Sequence, residues 1–324
     1  MLPQNFRREL RMLEVKDVKK CFITNSRRRL WAVNGISFNV KKNEVLGVVG
    51  ESGCGKSTLA RLILRLVEPS AGQIFFDEKE ITGISRKTLR PIRKDLQMVF
   101  QNPYASFNPK IRIDKALMEV CRYYGMSVSE SREKIEKLLN DTGLSGDLLN
   151  RWPRELSGGQ LQRLAIARSL LSEPSLLVAD EPLASLDVSV QSQLLNLLED
   201  IRSSRSMTMI FISHDMNVVE YFCDMVAVMY LGIIMEMIPA SQLSCNSLHP
   251  YTRSLRDCAP RLDVFKDSYV NLKNIIHGDI ASAAAQIPGC PFAPRCPQAK
   301  PQCSQNFPQL REISDKHSIR CHLT

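Results

Sequence analysis

Four groups of residues in this chain have types and spacings suited to chemistry, and three of them suit a bound phosphate. The first is Gly50-Glu51-Ser52-Gly53-Cys54-Gly55-Lys56-Ser57-Thr58, which fits G-x-x-x-x-G-K-[ST], the phosphate-binding P-loop. Glycines let the backbone curl until its N–H groups point at phosphate oxygens. A helix starting there adds a positive partial charge. Lys56 would reach the β- and γ-phosphates, and Ser57 would offer its hydroxyl to Mg²⁺. A chance match arises in roughly one chain in a hundred of this length, so the flanking elements must decide. Cys54 is read as a small residue at an unspecified position of the pattern rather than as a redox-active thiol.

The second group closes an apolar run, Leu176-Leu-Val-Ala-Asp180-Glu181-Pro182. After a P-loop, a strand-end Asp is the expected Mg²⁺ ligand. Glu181, next to it, could polarise an attacking water, and a general base is worth about 10²–10⁴-fold in rate. The third group is Leu156-Ser157-Gly158-Gly159-Gln160. Ser157 and two glycines ahead of a helical run, Leu161 to Leu171, make a second anion-binding helix start. The P-loop already serves the phosphates of this chain, so the second turn is expected to serve a nucleotide bound to another subunit.

The fourth group is Cys290-x₅-Cys296-x₆-Cys303-x₁₇-Cys321, four of the chain's ten cysteines. In a cytosolic protein a local cluster points to metal rather than to disulfides. The tail is Pro-rich with little apolar periodicity, where a metal's binding energy can act as folding energy. Four thiolates suit Zn²⁺ or a [4Fe–4S] cluster, although the close Cys-x₂-Cys pairs of most zinc folds are absent. The simpler alternative is four small buried hydrophobes. His317 and His322 are read as neighbours of Cys321, not as ligands.

Elements that could position these groups are visible in the patterning. Glu44–Val49, Leu96–Phe100, Leu176–Asp180 and Met209–Ser213 read as strands, and Ser57–Leu66 reads as a helix. Strands alternating with helices indicate an α/β domain with a largely parallel sheet. Residues 113–150 carry helix-periodic positions such as Ile135, Leu138 and Leu139, with no strand signal. Beyond residue 240 the periodicity weakens.

The chain has 324 residues, enough for about two domains. Its 44% hydrophobic and 24% charged residues exclude disorder as the dominant state. The longest apolar stretch, Met225 to Met235, stops at Glu236 and falls short of the roughly 20 residues a membrane helix needs. No signal-peptide pattern opens the chain, so a cytosolic location is expected. The formal net charge of +9 favours anionic partners. The short run Arg27–Arg29 reads as a solvated loop, and no aromatic-basic interleaving suggests nucleic acid.

With these residues assembled, the chain resembles the ATP-binding subunits of ABC transporters over residues 12–324. The resemblance implies that the P-loop binds ATP, that Leu156–Gln160 is the family's signature sequence, and that Asp180 and Glu181 are the metal ligand and the base. Gln101 matches the glutamine that touches Mg²⁺ and the attacking water, and it begins the segment that meets the membrane subunits. Ser185-Leu186-Asp187 matches the loop crossing the dimer interface. His214, in Ile212-Ser213-His214-Asp215, matches the switch histidine that contacts the γ-phosphate. Phe22 is the aromatic expected to stack on adenine, with Trp31 and Phe38 nearby. Mg²⁺ is expected on Ser57, Gln101 and Asp180.

Within that family, Gln101-Asn-Pro-Tyr-Ala-Ser-Phe-Asn-Pro109 looks like the second, F-type ATPase of dipeptide and oligopeptide permeases. Tyr230-Leu-Gly, His249-Pro-Tyr-Thr252 and Gly289-Cys-Pro-Phe-Ala-Pro-Arg-Cys296-Pro look like its C-terminal extension. Nickel and metal-chelate importers share these features. Leu183, Leu161 and Ile233 depart from the usual Thr, Arg and basic residue. The implied fold is an α/β P-loop NTPase with a RecA-like core, an antiparallel β subdomain and a helical subdomain at about 102–170. These fill residues 12–240, and a small Cys-containing domain fills 241–324. The resemblance also implies a [4Fe–4S] cluster on Cys290, Cys296, Cys303 and Cys321, with Zn²⁺ as the alternative. Implied partners are a non-identical D-type ATPase, two transmembrane permease subunits and an extracytoplasmic binding protein, with this chain peripheral on the cytoplasmic face of the membrane. The rival class, a soluble ABC ATPase of repair or translation, is disfavoured by a single P-loop and no sustained heptads.

Overall fold

The computed structural model describes residues 11–24, 27–184, 186–258 and 288–323. In chain order its elements begin with β1 (Arg11–Ile23), β2 (Arg29–Lys41), β3 (Val45–Val49), α1 (Lys56–Ile63), β4 (Ala71–Phe76), β5 (Lys79–Glu80), α2 (Arg86–Ile92) and β6 (Leu96–Val99). They continue with α3 (Ile113–Tyr123), α4 (Val128–Asp141), α5 (Gly158–Leu170), β7 (Leu176–Asp180), α6 (Val188–Arg205), β8 (Thr208–Ile212), α7 (Met216–Phe222), β9 (Met225–Tyr230) and β10 (Ile233–Pro239). The last are α8 (Leu243–Asn246), α9 (Pro250–Cys258), α10 (Pro301–Gln305), β11 (Arg311–Ser314) and β12 (His317–Ile319). The chain divides into two compact units, one of residues 1–40, 44–82 and 211–324, the other of residues 41–43 and 83–210.

In the first unit, one sheet runs in the order β2-β1-β4-β5. Strands β1 and β4 are antiparallel, with Leu13 opposite Phe76 and Val15 opposite Ile74. A second set of strands runs β11-β12-β10-β9-β3. Strand β3, Val-Leu-Gly-Val-Val, is buried at every position and pairs in parallel with β9. Continuous apolar runs of this kind belong to strands covered on both faces. Helix α7 provides one cover: a Cβ on Gly47 would lie 2.5 Å from Val219 Cγ1. Leu231 and Gly232, both at positive φ (45° and 76°), turn β9 into antiparallel β10 as a two-residue hairpin requires. Strand β12 pairs with β10, Glu236 opposite Ile319, so the chain's last strands are built onto a strand formed some 80 residues earlier.

In the second unit, β6 and β7 are parallel, with Leu96 opposite Leu176 and Val99 opposite Ala179. Residues 113–150 form α3, α4 and a short 3₁₀ turn, with no strand, as their periodicity indicates. The buried faces of these helices carry Leu117 and Cys121 on α3 and Ile135, Leu138 and Leu139 on α4. Ser127 and Glu130 form a reciprocal capping box at the start of α4, the expected way to satisfy orphan N–H groups.

Several boundaries differ from the sequence expectation. Helix α5 starts at Gly158 rather than Leu161, because Ser157 caps it. Helix α1 ends at Ile63, and Arg65 has left helical geometry at φ 51°. Strand β8 begins and ends one residue early, and β6 stops at Val99. The weakly patterned tail contains two short strands, whose three and four residues are too few for alternation to register. Leu161, Leu183 and Ile233 are all buried, so each occupies an apolar environment. Among the described residues no helix is long and apolar enough to cross a membrane.

Candidate functional site

The P-loop joins β3 to α1 in the first unit. Its glycines answer specific steric demands. Gly50 sits at φ 153° and Gly55 at φ 108°. A Cβ would lie 2.2 Å from Met229 O at Gly50, and 2.1 Å from Ala32 O at Gly55. Only glycine fits either place. Gly53, at φ 79°, faces open space. Ser52 and Gly53 are exposed, Glu51, Ser57 and Thr58 half-buried. Lys56 is buried, and its ammonium donates to Gly50 O (2.7 Å) and Glu51 O (3.1 Å). Cys54 is also buried, and desolvation pushes its thiol up, with Lys56 opposing. A raised thiol pKa opposes thiolate reactivity, in line with its reading as a packing residue.

His214 follows β8 and is exposed. Its position is set by Ser213, whose N–H donates to Val48 O of β3 (3.2 Å), and by Asp215, which caps α7 through Asn217 N (2.9 Å). Phe22, near the end of β1, is 40% exposed, with the Lys20 ammonium 5.1 Å from its ring centroid. An exposed ring face of this kind is available for stacking.

In the second unit, Asp180 ends β7 and is 3% exposed. Glu181 follows at φ 46°, a left-handed conformation uncommon for a residue with a side chain and frequent at functional sites. Gln101 lies just beyond β6, the parallel neighbour of β7, and its Nε2 donates to Glu181 Oε2 at 2.9 Å. The fold thus joins two expected site residues that are 80 positions apart.

Ser157 caps α5: its Oγ accepts Gln160 N (3.3 Å), while Gln160 Oε1 accepts Ser157 N (3.1 Å). Ser157 and Gly158 are exposed. Ser157 borders a cavity of about 440 Å³ that is also lined by Gly159, Gln160 and Arg163. Gly159 packs on α6, where a Cβ would lie 2.9 Å from Val190 Cγ1. Asp187, exposed, occupies the N-cap of α6. Ser185 lies outside the described residues.

The four tail cysteines are gathered in the first unit. Cys290, Cys303 and Cys321 are buried and Cys296 is half-buried. Cys290 N donates to Cys303 O at 2.7 Å. Burial is the main cause that pushes the Cys290 thiol up to about 11, and Cys321 and Cys296 add to it. Cys296 is raised by burial, then by Cys321 and Cys303, and Cys321 by burial and then Cys303. The thiols are therefore near enough to feel one another. Among the described residues, however, no three His, Cys, Asp or Glu side chains are grouped so that they could hold a metal ion. His317 is engaged elsewhere, with Nε2 2.8 Å from Glu236 Oε1, and His322 meets Asn306 O.

One arrangement was not legible beforehand. Tyr230, Tyr251, Phe292 and Arg295 belong to three strings noted in the sequence without a role. They converge: Phe292 lies 5.5 Å from the Tyr230 ring and 5.2 Å from the Tyr251 ring, and Arg295 forms an ion pair with P-loop residue Glu51. Each string marks a local turn or cap, and none carries a signal naming its partner.

Comparison with known proteins shows the family. Residues 33–184 match the family model "ABC transporter", and residues 235–303 match "Oligopeptide/dipeptide transporter, C-terminal region". The oligopeptide transport ATP-binding protein AppF of Bacillus subtilis (strain 168) is 43% identical over 320 residues, covering 96% of this chain and 97% of its own. Among solved structures, the dimeric bacterial ABC transporter cassette MJ0796 aligns with a TM-score of 0.65 at 27% identity, over 71% of this chain and 99% of that one. The cbiO1 protein of Clostridium perfringens, part of the ABC transporter complex cbiONQ, aligns with the same score at 30% identity, over 74% and 92%. The α/β architecture is accordingly that of the P-loop ABC cassette, and the chain belongs to the ATP-binding subunits of ABC transporters, in their oligopeptide and dipeptide branch.

Proposed function

We propose that this chain hydrolyses ATP to drive import of dipeptides or oligopeptides, as the peripheral ATPase on the cytoplasmic face of a membrane transporter. The observation that carries the hydrolytic part is the Gln101–Glu181 hydrogen bond at the end of β7. It joins a carboxylate and an amide, two groups able to polarise one attacking water. The P-loop amides and Lys56 bind the phosphates. Glu181 takes the water's proton, and His214 donates to the γ-phosphate. Phe22 stacks on adenine. Mg²⁺ is assigned on motif to the oxygen ligands Ser57, Gln101 and Asp180, a donor set that suits it. When bound it offsets phosphate charge.

The exposed helix start at Ser157–Gly159, with Gln160 engaged in its own cap, supports a partner role: it receives the nucleotide of a second ATPase, and Asp187 crosses to that partner. A non-identical D-type subunit is the partner this reading names, together with two permease subunits and an external binding protein. This reading assigns residues 12–240 to the ATP-binding domain, with a helical subdomain at about 102–170, and residues 241–324 to the C-terminal extension. Substrate is tested by ATP-dependent uptake in proteoliposomes of the whole transporter. Uptake of labelled peptide, lost in Lys56→Ala, is expected. Uptake of nickel or a metal chelate with none of peptide would overturn the peptide assignment.

The Cys cluster is read as a [4Fe–4S] site on Cys290, Cys296, Cys303 and Cys321. The absence of the close Cys-x₂-Cys pairs of most zinc folds and the resemblance to the oligopeptide and dipeptide permeases support this reading over zinc. When bound, it supplies structural cross-linking of the tail. Anaerobic purification with iron and sulfide analysis should give about four of each per chain. Stoichiometric zinc without iron would replace that reading.

A further inference from the structure

Two distant parts of the chain hold the second residue of the P-loop, Glu51. Tyr251 OH accepts the Glu51 N–H at 3.0 Å. Arg295 donates to both carboxylate oxygens, from Nη1 to Oε2 at 2.8 Å and from Nη2 to Oε1 at 3.1 Å, and Nη1 also reaches Tyr230 OH at 3.3 Å. The Arg295 side chain is 9% exposed and that of Glu51 18%, so solvent screens the pair weakly. Behind it, Phe292, Tyr230 and Tyr251 form a fully buried aromatic cluster.

Two consequences follow for a loop that must receive polyphosphate. An unpaired carboxylate within the loop would repel the ligand, and Arg295 supplies the compensating charge in a two-pronged geometry that only arginine offers. The loop also contains three glycines at positive φ, each costly to order. Glu51, fixed at its backbone by Tyr251 and at its side chain by Arg295, limits that freedom together with the Lys56 ammonium on Gly50 O and Glu51 O. Because Tyr251 takes the Glu51 amide, the phosphate-facing role falls to the other loop amides.

We propose that Arg295 is a positioning residue of the ATP site: by neutralising and fixing Glu51 it holds the P-loop in its phosphate-binding curl, so the Cys-bearing tail completes the nucleotide site. The proposal rests on the P-loop reading, and Lys56→Ala tests that reading separately. If Lys56→Ala binds ATP normally, the P-loop assignment and this proposal fall together.

The test is a double-mutant cycle on the full-length chain, read as the Kd for a fluorescent ATP analogue with Mg²⁺ and as kcat and KM in the assembled transporter. Arg295→Ala should weaken binding about tenfold, the scale of a lost charge-assisted hydrogen bond. KM should rise with Kd while kcat holds, the pattern of lost uniform binding. Arg295→Lys should fall between. In a Glu51→Gln background, Arg295→Ala should change Kd by less than about twofold, because the charge it serves is gone. An unchanged Kd in Arg295→Ala, or an equal loss with and without Glu51, would overturn the proposal. If Arg295→Ala does not fold, Arg295→Lys carries the same cycle. A loss that vanishes in Glu51→Gln supports the latch, and one that persists, or no loss at all, overturns it.

Discussion

The two anion-binding turns of this chain, the P-loop and the start of α5, are built on opposite principles. The P-loop depends on distant residues. Its glycines leave room for Met229 O and Ala32 O, its lysine is buried, and its second residue is gripped by Tyr251 and Arg295. The start of α5 is capped by its own residues, with one tertiary contact, Gly159 on Val190 of α6. Ser157 and Gln160 satisfy each other across three residues, Ser157 has ordinary extended geometry, and the turn stays exposed. A site preorganised by tertiary contacts suits a ligand the chain must hold alone. A self-sufficient exposed helix end suits a ligand that a partner presents, because closing onto it requires no rearrangement of the turn.

The largest expected effect isolates the chemistry that the two turns serve. Glu181→Gln should retain ATP binding and lose turnover by about 10²–10⁴-fold, equivalent to ~3–5 kcal/mol of barrier. ATPase assays with the partner's site disabled would read this directly, and near-parental turnover would remove Glu181 from the role of base. Next in size is a pair of alanine substitutions that sets one turn against the other. Gly55→Ala must adopt φ 108° and displace Ala32 O, costing ~3 kcal/mol of stability in denaturant unfolding. Gly158→Ala, whose Cβ has only Leu186 Cδ2 at 3.8 Å, should stay within about 0.5 kcal/mol of wild type. It should, however, impair ATP-driven dimerisation. Equal destabilisation by the two would erase the contrast.

Acidification should weaken the P-loop's support more than the α5 cap, which contains no titrating group. His249 is buried, and desolvation pulls its pKa from 6.5 down to about 3. Its Nδ1 accepts the Tyr251 N–H at 3.1 Å, so the neutral ring supports the tyrosine that holds Glu51. The folded state binds the proton less readily than the unfolded state. Stability is therefore fully present above pH 6.5 and is lost as pH falls from there toward 3. Between pH 7.5 and 5.5 the loss should be ~1.4 kcal/mol. Urea midpoints of wild type and His249→Gln at both pH values measure it, and an identical pH dependence in the two would assign the loss elsewhere. The smallest effect is Ser157→Ala, which removes one helix cap and should cost ~1 kcal/mol. ATP binding to the chain's own P-loop should be unaffected, as an equilibrium titration would show.

What could be read directly from the residues was whatever neighbours in sequence decide. Glycine spacing around Lys56 announced a phosphate loop because the steric demand for positive φ is local. Ser157 and two glycines ahead of an apolar run announced a helix start, but the run alone began that helix at Leu161; the reciprocal Ser157–Gln160 cap, which moves the start to Gly158, was shown by the structure. The strand ending at Asp180 was legible as an unbroken apolar run. The resemblance gave Gln101 and Glu181 separate roles at one site, but the bond between them depends on β6 lying beside β7, which no spacing encodes. The hold on Glu51 is further removed. Its partners stand 200 and 244 positions away, in strings that read as marks of the family's C-terminal extension and not as parts of the ATP site. They meet because Tyr230, Tyr251 and Phe292 are buried together, and burial is non-directional: it drives aromatic side chains out of water without specifying in the sequence which ones will touch. Local sterics and hydrogen bonds are written in short-range patterns, whereas the contact that joins tail to P-loop arises only when the whole core is packed.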